Sequence, residues 1–94
     1  ALEGGDLDPR LKGAAFAELP ERVRRQGGNG VLVERVDAQS RAATNGLQAG
    51  DWITGLNRYA VDDLEALQQA AEQQPNRMVL SVVRGRRSGL VEMQ

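Results

Sequence analysis

The sequence predicts a mainly β domain with two α-helices, a partly open antiparallel barrel or sandwich capped by a short and a longer helix. Three observations carry this. Residues 30–36 (GVLVERV) and 78–83 (MVLSVV) are β-branched and apolar and read as buried strands. Residues 62–74 repeat apolar side chains at helical spacing, at Leu64, Leu67 and Ala71. Between them, "ATNGLQAGDWITGLN" (43–57) fits a helix stop, a turn and a strand into one short segment. Strands and helices do not alternate regularly, which favours antiparallel pairing.

Taken in order, residues 1–10 (ALEGGDLDPR) are rich in Gly and Asp, end near Asp8-Pro9, and read as linker before a domain at 11–94. Residues 11–17 are small and apolar, a short strand after a loop. Residues 18–27 can hold a helical turn, with Pro20 at its start and Gly27-Gly28 as its stop. After the 30–36 strand, Ser40 can cap a short helix over 41–45. The small pair Ala42-Ala43 lets that helix pack closely. Gly46 suits the left-handed residue that ends it, because it lacks a Cβ. Gly50-Asp51 then reads as a turn into the strand 52–56, with Ile53 and Leu56 expected in one core with Val33 and Leu67. The amide of Asn57 can tie down the next turn. Residues 59–61 are a second short extended piece. Asp62 or Asp63 opens the longer helix, whose Gln68-Gln69 and Gln73-Gln74 leave a polar face, and Pro75 ends it. "RGRRSG" (84–89) reads as the turn of a hairpin returning over 90–93.

Composition excludes several function classes. Ninety-four residues fit one domain. Twelve Lys and Arg against thirteen Asp and Glu give a net charge of −1, which argues against a nucleic-acid or anionic-membrane surface. No apolar run approaches the ~18 residues of a membrane span. Without Cys there is no disulfide or thiolate metal site; without His the commonest metal ligand and general base are missing. No cofactor is expected. Ser40, Ser81 and Ser88 have no His beside them, and Lys12 is the only Lys. Asp62-Asp63 is better read as helix capping than as an acid pair. Catalysis is therefore not expected. Arg22, Arg24 and Arg25 lie among Glu18, Glu21 and Glu34 and read as a solvated face. Trp52 reads equally as an exposed interface anchor and as half-buried packing against the short helix. The start at Ala1, without Met or a secretory signal, reads as a cut inside a longer chain.

Several motifs together resemble a PDZ domain in the strand order of bacterial proteases: Gly30-Val31-Leu32-Val33, Ala42-Ala43, Gly46-Leu47-x-x-Gly50-Asp51-x-Ile53, Asn57, the Leu64/Leu67/Ala71 helix and Val82-Val83-Arg84-Gly85. The last part is similar to the second, C-terminal PDZ domain of Do-type (Deg/HtrA) serine proteases. The resemblance implies peptide capture by strand addition. The carboxylate-binding loop would be Leu11-Lys12-Gly13-Ala14, the edge strand Ala14-Ala15-Phe16, and the facing helix would present Leu64, Leu67, Gln68 and Ala71. Leu2-Glu3-Gly4 is a competing match for the loop, separated from Gly30 by a long insertion. Phe16 could wall a pocket or simply fill the core. Arg10 and Lys12 could attract a carboxylate or be plain surface charges. The implied partners are peptides or unfolded-protein C-termini and other domains or subunits of a protease, in the periplasm. The rival implication is an assembly module with a degenerate groove.

Overall fold

The computed structural model describes residues 1–94 and contains a seven-stranded antiparallel sheet with three α-helices. The strands are β1 (Leu2–Glu3), β2 (Ala14–Glu18), β3 (Val31–Val36), β4 (Trp52–Leu56), β5 (Tyr59–Ala60), β6 (Met78–Arg84) and β7 (Arg87–Met93). The helices are α1 (Glu21–Arg25), α2 (Arg41–Thr44) and α3 (Leu64–Glu72). The sheet runs β1-β2-β3-β4-β6-β7, with β5 as a short branch on β4. It is an open sheet, not a closed barrel.

Local chemistry decides most of the boundaries. The Ser40 hydroxyl accepts from the Ala43 N–H (3.1 Å) and caps α2; Asp63 Oδ1 accepts from the Ala66 N–H (2.8 Å) and caps α3. Gly46 has φ +107° and donates its N–H to the Ala43 carbonyl (3.0 Å), ending α2 in the left-handed conformation. The Asn57 amide ties the β4–β5 turn to the start of β6, donating to the Arg77 carbonyl and accepting from the Val79 N–H, both at 2.8 Å. Ile53, Leu56, Val33 and Leu67 are fully buried in one core with Phe16, Leu80 and Met78. Because a Cβ at Gly46 would meet only Val91 Cγ1, at 3.9 Å, the cost of Gly46→Ala lies in backbone conformation alone. We expect a loss of about 1 kcal/mol, read as a lowered Tm. An unchanged or raised Tm would contradict the cap.

Three expectations differ from what is seen. The β6–β7 turn is tighter than "RGRRSG": Arg84 pairs with Arg87, leaving only Gly85 (φ +62°) and Arg86 in the loop, so β7 begins at Arg87. Arg24 is not simply solvated. It donates to Glu18 (3.0 Å) and to the Asp62 carbonyl (2.9 Å), fastening α1 to the start of α3. Residues 1–10 are not a free tether. Leu2–Glu3 joins the sheet, two 3-10 turns follow at Gly4–Asp6 and Pro9–Leu11, and Leu7 packs on the core. Composition misleads here because Gly and Asp-Pro mark turns, and turns can be built into a domain.

Asp8 shows how firmly this segment is held. Its nearly buried carboxylate accepts from the Arg10 N–H, Nε and Nη2, each at 2.9 Å, and Arg10 Nη2 continues to the Pro75 carbonyl (2.8 Å) beyond α3. The Arg10 side-chain hydrogen bonds hold the Asp8 carboxyl below its ordinary range. With the folded value below the unfolded one, the unfolded chain binds more protons in the acid window. The Asp8 contribution is thus complete above about pH 4 and lost as pH falls through its folded value. Asp8→Asn should flatten that part of the acid limb in a Tm-versus-pH series; an unchanged limb would show that Asp8 carries no linkage.

Candidate functional site

A strand-addition site needs a sheet edge with unpaired backbone groups, a neighbouring helix, and, for a chain terminus, converging N–H donors. β2 and α3 are the strand and the helix to be judged against the first two. They are tied at both ends. Glu18 Oε1, at the end of β2, accepts from the Leu64 N–H at the start of α3 (3.0 Å). Arg10, ahead of β2, reaches the Pro75 and Asn76 carbonyls past the end of α3 (2.8 and 3.4 Å). Glu18 and Arg24 read from sequence as part of a solvated face, because the partners they hold, Leu64 and Asp62, are brought to them only by the fold.

The loop before β2 is Leu11-Lys12-Gly13. Gly13 has φ +99°, and a Cβ there would fall 2.1 Å from Ser40 Cβ, so the loop is pressed against the start of α2. The Lys12 carbonyl accepts from the Ala42 N–H (3.0 Å) and the Gly13 carbonyl from the Asp37 N–H (2.7 Å). Two of the loop's own donors are already committed, the Leu11 N–H to the Asp8 carbonyl (2.9 Å) and the Lys12 N–H to the Pro9 carbonyl (3.2 Å). The Gly13 N–H is the loop donor outside this network. As a nest for a carboxylate the loop is therefore thin.

The remaining expected site residues divide by burial. Leu11, Ala14, Ala15, Phe16, Leu67 and Ala71 are buried, Gly13 and Leu64 are half-buried, and Lys12 and Gln68 are exposed. Phe16 stands in the core, not on a pocket wall. Arg10 is engaged by Asp8 and by the carbonyls after α3, so it is not a spare cation; Lys12 forms no ion pair. Trp52 is half-buried beside Gly28, just past the end of α1, where a Cβ would lie 3.5 Å from its ring.

The largest departure concerns the edge itself. β2 was expected to be the free edge strand. Instead β1 pairs with it, Leu2 opposite Phe16 and Glu3 opposite Ala15, antiparallel and on the side away from β3. Gly4 follows at the loop, where a Cβ would come within 2.2 Å of the Leu11 carbonyl oxygen and 3.0 Å of that of Ala14. The two sequence segments that compete as loop matches thus meet in space: Leu11-Lys12-Gly13-Ala14 leads into β2, and Leu2-Glu3-Gly4 lies along it. None of the five surface concavities is lined by both β2 and α3, as expected for an edge already covered. At the far side of the sheet, β7 is an edge strand with Leu90 74% exposed.

Comparison with known proteins bears on this arrangement. The family model for the PDZ domain matches residues 13–83. The chain is 37% identical over 89 residues to the periplasmic serine endoprotease DegP of Salmonella typhimurium, covering 95% of this chain and 18% of that protein. It is 33% identical over 82 residues to the periplasmic pH-dependent serine endoprotease DegQ of Escherichia coli, covering 87% and 17%. It is 30% identical over 77 residues to a probable periplasmic serine protease do/HhoA-like of Haemophilus influenzae, covering 82% and 16%. The chain thus spans less than a fifth of each of these relatives. Among solved structures, the HtrA3 PDZ domain bound to a phage-derived ligand (FGRWV) superimposes with TM-score 0.71 at 26% identity, over 86% of this chain and 79% of that one. With the motif spacing, the sheet order and these matches in agreement, the chain belongs to the PDZ domain family and is related to the PDZ regions of Deg/HtrA periplasmic serine proteases.

Proposed function

We propose that this domain is a non-catalytic peptide-recognition module of an envelope serine protease, taking extended or C-terminal segments by strand addition along β2. One observation carries the reading: the outer side of β2, at Ala15 and Phe16, accepts an extended segment in antiparallel register, and here that segment is Leu2–Glu3. An edge that pairs with one strand offers the same backbone groups to another. The HtrA3 relative, solved with a five-residue ligand, supports the same use of the fold. The relatives' names support a periplasmic setting, and no helix here is long and apolar enough to cross a membrane.

The test is an NMR titration of the labelled domain with the peptide Phe-Gly-Arg-Trp-Val, as free acid and as amide. Shifts should concentrate at residues 13–17 and at Gln68 and Ala71. A charge-assisted hydrogen bond contributes about 1.5–3 kcal/mol. With one loop donor outside the internal network, amidation should weaken binding by about tenfold, the lower end of that range. The rival reading, assembly with other subunits, is favoured by the open edge of β7 and the exposed Leu90. Silence at β2 at millimolar peptide, with concentration-dependent shifts at 87–93, would establish that reading instead.

A further inference from the structure

The segment that covers β2 has a chemistry of its own. Residues 2–4 run antiparallel to β2 and reach the loop at Gly4, the path and direction a C-terminal peptide would take there. Successive residues of a strand point to opposite faces. Leu2 lies opposite Phe16. Glu3 lies opposite Ala15, and Ala15 in turn lies opposite Arg35 on β3. These three form one row across the sheet. Because Ala15 is only a methyl group, the Glu3 carboxylate reaches over it to Arg35 Nη2 and Nη1, at 2.8 and 3.3 Å. Arg35 also donates through Nε to Asp37 (2.8 Å), so one guanidinium serves one permanent carboxylate and one supplied by the edge segment.

The cover is weakly held. It has two ladder positions, and its ion pair is about half exposed on both sides, 48% at Arg35 and 52% at Glu3. Exposed pairs of this kind contribute little, and a two-residue strand is marginal. Gly4 onward is anchored differently: Gly4 is buried against the loop, and its carbonyl accepts from the Leu7 and Asp8 N–H groups. Leu2 and Glu3 can therefore leave β2 while the turns behind them stay in place.

We propose that Leu2–Glu3 is a displaceable internal ligand of the β2 edge, and that Arg35 selects an acidic residue in the segment replacing it, at the position Glu3 holds. This rests on the reading of β2 as the peptide edge and names both its ligand class and its regulation. A tethered competitor present at high effective concentration lowers the fraction of open edge, and the apparent Kd of an incoming peptide rises in proportion. Weakening the cover should strengthen outside binding.

The experiment titrates fluorescein-labelled peptides containing Ala-Leu-Glu-Gly or Ala-Leu-Lys-Gly into the wild type, Glu3→Lys and Arg35→Glu, by fluorescence polarisation. Amide shifts of Ala15 and Phe16 locate the site. Glu3→Lys places a like charge beside Arg35 at an exposed position, so the fold should be retained. It should bind the Leu-Glu peptide about threefold to tenfold tighter than wild type does. Both proteins should prefer Leu-Glu to Leu-Lys, and Arg35→Glu should reverse that preference. If the peptides bind at Ala15 and Phe16 with no charge preference and no gain in Glu3→Lys, this inference falls and the peptide-edge reading stands. If no peptide moves the Ala15 and Phe16 resonances in any variant, the peptide-edge reading falls as well.

Discussion

Replacing Phe16 with Ala is expected to destabilise the domain by about 3–5 kcal/mol, the range for truncating a fully buried aromatic. The ring is completely shielded in the core that also holds Leu11, Val33, Leu67 and Ala71. Its removal strips contacts from β2, β3 and α3 together, and neighbours so close-packed relax only partly into the void. Whole domains are typically stable by only ~5–15 kcal/mol, so a chain of this size would lose a large share of its margin. A urea titration should show a lower midpoint with an unchanged slope. Gln68→Ala provides the contrast, because Gln68 is exposed on α3 and its loss should stay within about 0.5 kcal/mol. A Phe16→Ala loss below 1 kcal/mol would mean that the ring lines an open groove and that β2 carries its ligand contacts through side chains. With the ring in the core, β2 offers a ligand mainly its backbone.

That distinction marks where sequence reasoning reaches and where it stops. Asn57 was legible as a turn residue but not in its partners, Arg77 and Val79 at the start of β6; Ser40, Gly46 and Asp63 were legible because each acts on backbone within a few residues. Their side-chain chemistry is enough to assign the job. The buried strands were legible for a similar reason, since a β-branched apolar run has few alternatives to the middle of a sheet. The edge of β2 was not legible. Nothing in Leu2-Glu3 as a dipeptide says that it will lie beside Phe16 and Ala15, and its two residues are too short for a period-2 signal. Arg24 reads as surface charge because it stands among carboxylates in the sequence, and Arg35 carries no signal beyond its place in the 30–36 strand, whereas the bonds that matter reach Asp62 and Glu3 on other segments. The spacing of the motif names the fold; the occupancy of its groove depends on contacts made across the fold.

Asp51 belongs to the same class, and its partner gives the second large effect. From sequence it is the polar half of a Gly50-Asp51 turn. In the structure it is 1% exposed, and Arg84, from the end of β6, grips both its oxygens through Nε (2.8 Å) and Nη2 (2.9 Å). Arg84 Nη2 also reaches the Gly46 carbonyl (2.8 Å), and Asp51 Oδ2 accepts from the Gln48 N–H (2.9 Å). The pair thus ties the α2–β4 connection to β6, and the guanidinium side-chain hydrogen bonds with Asp51 raise the Arg84 pKa further. Removing one partner of a buried ion pair costs more than the pair itself contributes, because the remaining charge is left in a poor medium. Which partner is removed therefore matters. Arg84→Met leaves a buried carboxylate holding only the Gln48 N–H. Since Arg84 is 46% exposed, water can partly follow its departure, and the expected loss is about 2–4 kcal/mol, not the top of the range. Asp51→Ala removes the buried charge altogether, leaves Arg84 free to hydrate, and orphans one N–H, for about 1–3 kcal/mol. The double variant should cost less than the two single losses added, with a coupling of about 0.5–3 kcal/mol. Denaturant titration of the three variants closes the cycle. If Arg84→Met costs no more than Asp51→Ala, water has replaced the guanidinium at Asp51, and the Gly-Asp turn is held by its own backbone.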